Sequence, residues 1–126
     1  MKRIIWGGCI VAVLLALALL AGGEMERLHA PVARQLQAAA GEAGHGRWQE
    51  ARAKAEAAAA LWEDNRRLVA ILADHSPMDD IDGLFAELLE YGRQEETPHF
   101  CALCRHLARL VEGMAENHHL TWWNFL

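Results

Sequence analysis

Twenty consecutive uncharged positions, Ile4–Gly23, follow directly behind Lys2 and Arg3. Beyond them the apolar positions recur mostly three and four apart. At 1.5 Å per helical residue, twenty residues span about 30 Å, the thickness of a bilayer's hydrocarbon core. The run therefore reads as a transmembrane helix, with Trp6 placed near one end where an indole suits the headgroup boundary. Secretory h-regions usually hold about 7–15 residues, so the length favours a retained anchor over a cleaved signal ending at Ala21-Gly22-Gly23. Positive charge precedes the run, and Glu24 and Glu26 follow it. The positive-inside tendency places the N-terminus in the cytoplasm and residues 24–126 outside.

The remainder carries helical stripes. Met25, Leu28, Val32, Leu36 and Ala39 form the first, with Pro31 either kinking a continuing helix or opening a new one. Gly41–Gly46 breaks the pattern. From Arg47 to about Asp74, Trp48, Ala51, Ala55, Ala58, Trp62, Asn65, Val69 and Leu72 alternate three and four apart, the seam of a helix packed along another. A buried Asn65 would fix register; its polarity favours the seam's edge. Ser76-Pro77, with Asp79 three after the serine, predicts a capped start. Met78, Ile81, Phe85 and Leu88 form the face that follows, and Gly92 ends that helix. Thr97-Pro98 repeats the cap, and Phe100, Leu103, Leu107, Leu110 and Met114 line a last helix that fades at Asn117. The expected fold is all-α: an N-terminal transmembrane helix (1–23), then an antiparallel helical bundle or stacked helical hairpins (24–126).

Charge narrows the partners. Ten of the 12 Lys and Arg, and all 17 Asp and Glu, lie beyond Gly23, so that part carries a net charge of about −7. An acidic domain repels phosphate backbones, which argues against nucleic acid. One serine and two threonines leave little for hydroxyl nucleophiles.

The order Trp48…Ala51, Trp62, His75-x-x-x-Asp79-Asp80-Ile81-Asp82, a leucine-rich helix and a closing Leu120-Thr-x-x-Asn124-Phe-Leu resembles domain-of-unknown-function family 4363. That resemblance implies a small bacterial protein with an N-terminal membrane segment and a helical remainder, and it brings no activity. The Ala-rich second helix, Cys101 and Cys104 depart from the family pattern.

Three constellations are candidates for chemistry. His75, Asp79, Asp80 and Asp82 form an acidic turn. As a calcium loop it fails, because Met78 and Leu89 occupy the first and twelfth positions. It reads first as dipole compensation, and second as a cation or partner site. His99-x-Cys101-x-x-Cys104-x-His106 lacks the second pair of a strong zinc signal, and Arg105 replaces the histidine that haem attachment needs. Buried thiols, a disulfide or redox pair, and a metal site all stay open for it. The tail, with Trp122 and Trp123, packs back, lies at the membrane interface or enters a partner's groove.

The sequence thus points to a single-pass membrane protein presenting a helical domain outside the cytoplasm as a non-enzymatic interaction or accessory subunit, with no cofactor expected. Its partners are lipid, through Ile4–Gly23, and a protein, itself expected in the membrane. The alternative is a metal- or redox-responsive protein using Cys101 and Cys104.

Overall fold

One helix, α1 (Lys2–Gly44), takes in the apolar run, Pro31 and the first stripe without a break. Of the two readings of Pro31, the helix continues through it and does not open anew. Pro31 lies inside the helix, where it withholds one N–H from the ladder and its ring crowds the carbonyl four residues before it. The computed structural model describes the backbone of residues 2–69 and 76–123, and the side chains of 4–20, 23, 27–68 and 78–114.

Three further helices follow among the described residues: α2 (Trp48–Val69), α3 (Ser76–Gln94) and α4 (Thr97–Trp123). Helix α1 packs against α2 and α4, and α3 closes the ring by packing on the same two. The levels match round the bundle. Asn65 meets Leu28, Arg52 meets Gly92, Trp48 meets Phe100, and the Cys101 thiol donates to the Ala40 carbonyl at 3.4 Å. The arrangement is an antiparallel four-helix bundle rather than a stack of hairpins.

Two turns at one end share a geometry. At the end of α1, Gly46 is left-handed (φ 74°), its N–H donates to Ala43 O, and the Arg47 N–H reaches back to Glu42 O. This six-to-one closure satisfies carbonyls that the helix end leaves over. The turn after α3 repeats it with Glu95 (φ 55°) in place of glycine, Glu96 N–H reaching Tyr91 O. Gly92 therefore does not end α3. It lies buried within the helix, where an added Cβ would come within 3.2 Å of the Phe100 ring. Its small size, not its conformational freedom, is what the fold uses.

Helix starts also differ from the sequence reading. The first bond of α4 runs from Phe100 N–H to Glu96 O, so the cap position is Glu96 and Thr97 is already helical. Likewise α3 begins at Ser76 itself, which puts Ser76 in the first turn rather than ahead of it.

The core follows the predicted stripes with two shifts. Val32, Leu36, Ala39, Ala51, Ala55, Ala58, Trp62, Met78, Ile81, Phe85, Leu88, Phe100 and Leu107 are buried as their spacing required. In α4, however, the buried line is Phe100, Cys101, Cys104, Leu107, Ala108 and Val111, while Leu103, Leu110 and Met114 are half-buried at its side. On α1, Ala33, Ala40 and Ala43 join the core. Small residues on both helices bring α1 and α4 close, as the thiol-to-carbonyl bond between Cys101 and Ala40 requires. Asn65 is not at an edge: it is buried, and its amide donates to the Leu28 carbonyl. Met25, Val69 and Leu72, assigned to the stripes, lie outside the described side chains.

Candidate functional site

The acidic turn is bound into the bundle from the α2 side. Trp62 sits in the seam of α2 with its indole edge turned to α3, and its Nε1–H donates to Asp82 Oδ1 at 2.7 Å. The other Asp82 oxygen takes Arg66 Nε at 3.1 Å, and the same guanidinium reaches Asp79 Oδ1 at 3.2 Å. Arg66 is one turn beyond Trp62, so a single helix face supplies both donors. Two of the three carboxylates therefore share one guanidinium, Asp82 half-buried and Asp79 exposed, and the pair keeps a net negative charge. Asp80 points outward and is exposed. His75 lies outside the described residues, so the proposed His75–Asp grouping has no geometry here.

Behind Trp62 lies a residue with no role in the sequence reading. His29 of α1 is almost fully buried, with its ring centroid 6.0 Å from that of Trp62. Trp62 in turn stacks on Phe85 of α3 at 6.3 Å. Three helices are thus joined by a line of rings. The signal for His29 was present: it lies three before Val32 and seven before Leu36, on the buried stripe. A histidine beside Pro31 does not look like a core residue.

The cysteines and histidines of α4 divide between opposite faces. Cys101 and Cys104 point inward and are free thiols. Burial, then the neighbouring Cys101, pushes the Cys104 thiol up to about 12. A thiol held protonated is a weak nucleophile and a poor metal ligand. His99 and His106 face out, and His99 stacks on Tyr91 at 5.1 Å while bonding Glu96 at 2.6 Å. The His–Cys–Cys–His spacing thus brings its histidines to the side away from its thiols. Among the described residues, no three His, Cys, Asp or Glu side chains are grouped as a metal ion would need. Helix α4 does not fade at Asn117 but continues to Trp123. The side chains of Trp122 and Trp123, in the tail, lie outside those described.

Charge at the far end is also paired. Glu42 accepts from Arg47 and, at 3.0 Å, from Lys54 of α2. Those two cations hold its carboxyl at about 2.

The apolar run is the largest feature left without protein around it. Of the 17 described side chains from Ile4 to Leu20, all but Ala18 are well exposed, Ile4 at 79% and Leu20 at 67%. Among the described residues, no helix is long and apolar enough to cross a membrane. The described stretch stops at Leu20, short of Ala21 and Gly22.

Fold and surface define a four-helix bundle whose first helix continues as an apolar extension. The chain belongs to the DUF4363 family: the family model, described as a domain of unknown function, matches residues 24–125. The match begins just past the apolar run. No curated protein and no solved structure matches the chain.

Proposed function

We propose that this chain is a membrane-anchored, non-enzymatic interaction or accessory protein, presenting its bundle outside the cytoplasm. The observation that carries the reading is the contrast along α1. Residues 27–44 bury one face in the bundle, while Ile4–Leu20 carry no charge and stay exposed on all sides. In water such a surface costs about 25 cal/mol for every Å² that stays wet. A helix apolar all round belongs in lipid or in a large core, and a bundle of this size offers no such core. Seventeen helical residues cover about 26 Å, at the short end of membrane spans, and Ala21–Gly23 lengthen the uncharged stretch in sequence.

Orientation rests on Lys2 and Arg3 ahead of the run and acids behind it. An accessory role is supported by the structural use of Asp82, paired with Trp62 and Arg66, and by the burial of Cys101 and Cys104. The metal- or redox-responsive alternative draws no support from thiols and histidines on opposite faces.

A reporter fused after Leu126 tests the topology. It is expected to be active only if it works outside the cytoplasm, with the protein retained through carbonate extraction. Release into the soluble fraction, or an active cytoplasmic reporter, refutes the reading.

A further inference from the structure

One end of the bundle faces the apolar run, and its level follows from described contacts. Asn65 of α2 donates to the carbonyl of Leu28 on α1, and the two helices run antiparallel. Moving forward along α2 therefore moves back along α1 toward Gly23. Leu68, one turn past Asn65, is about 4.5 Å further on and level with residue 25, only two positions from the end of the uncharged run. It is 57% exposed, and among the described residues it is the one exposed large hydrophobic outside that run. Arg67 beside it is exposed as well. On α3, Asp79 reaches the same level through Arg66. On α4, Cys101 stands level with Ala40, so Gly113, twelve residues on, arrives level with Leu28. The α4 backbone then continues to Trp123, ten residues or about 15 Å beyond Gly113.

We infer that this rim of the bundle is itself a lipid-contacting surface, with Leu68 entering the bilayer interface beside α1 and Arg67 at the level of the headgroup phosphates. The inference rests on the anchoring reading and goes beyond it, because an anchor alone lets the domain stand clear of the membrane on α1. An apolar side chain flanked by an arginine suits the interface, where the aliphatic part is buried and the cation stays wet. The seating has a structural reason. Asn65 holds the end of α2 to α1 at Leu28, so the rim is fixed at one height above the run and cannot slide along it. A rim so held also presents the rest of the bundle, and the exposed Asp80, at a set distance from the membrane.

Site-directed spin labelling of the full chain in phosphatidylcholine vesicles tests this. Cys9 is replaced by serine, and Cys101 and Cys104 are left in place because burial keeps them from the label. Single labels are placed through Leu14→Cys, Leu68→Cys and Glu56→Cys, the last three turns up the same helix on an exposed position. Accessibility to dissolved oxygen is compared with accessibility to a polar nickel chelate. The ratio is expected to be several-fold higher at 68 than at 56, and to approach that at 14. A lipid-like label at 14 with a water-like label at 68 overturns the rim contact and leaves the anchor standing. A water-like label at 14 removes both. Protection of 68 from oxygen and nickel alike means that protein covers it, a second copy or a partner, and also overturns the lipid assignment.

Discussion

The two halves of α1 are equally helical and both rich in apolar residues, yet they meet opposite fates. From Ile4 to Leu20 the apolar side chains surround the axis, and no single face is set apart for a partner helix. From Arg27 to Gly44 they keep to one side, with Arg34, Gln37 and Gly41 outside and Val32, Leu36, Ala39 and Ala43 inside. An even coat of apolar groups needs a solvent that accepts it on every side. A stripe needs only a second helix. Helix propensity is thus common to both halves, and the angular distribution of apolar groups separates them.

Substitutions break the comparison in order of size. Trp62→Ala removes the indole that packs against His29 and Phe85 and bonds Asp82, and is expected to cost about 3–5 kcal/mol in the bundle's denaturant stability. Leu14→Ala, in the other half, is expected to leave that midpoint unchanged. Next, Leu14→Arg puts a charge in the middle of the run, at an insertion cost of about 2.5–3.5 kcal/mol. It is expected to deplete the protein from the carbonate-resistant membrane fraction without altering the melting of the bundle; unchanged retention removes the lipid assignment. Ala40→Leu overfills the close contact with Cys101 and is expected to cost about 1–3 kcal/mol. The matching Ala16→Leu is expected to cost nothing in the same measurement.

The smallest effect is a pH dependence confined to the packed half. Glu42 is held at about 2 in the fold against an ordinary 4.5, by Arg47 and Lys54. Its folded pKa is the lower, so the unfolded chain binds the proton more tightly. The stabilisation is therefore complete above 4.5 and is lost as pH falls from there toward 2. Glu42→Gln is expected to flatten the acid limb of a denaturation-midpoint-against-pH plot in that window. An unchanged limb sets the ion pairs aside as a source of stability, as is common for exposed pairs.

Spacing alone determined the helical class, the positions of the seam from Ala51 to Trp62, and the division of α1 into a uniform and a striped half. These depend on local periodicity, which a linear chain displays directly. Family membership over residues 24–125 was legible in the same order of residues. Tertiary structure decided what periodicity leaves open. Asn65 is polar, and only the neighbouring Leu28 carbonyl makes its burial affordable. Gly92 has the composition of a helix end, and only the Phe100 ring shows why a small residue is needed inside the helix. Cys101 and Cys104 look like half a metal site until the face they share is seen to be the one against Ala40, with His99 and His106 turned away. Asp79 and Asp82 read as acids set against the helix dipole because Arg66, whose one guanidinium pairs with both, is more than ten residues earlier. In each case the deciding partner lies on another helix, and a pattern read along one helix carries the phase of a face but not what stands opposite it.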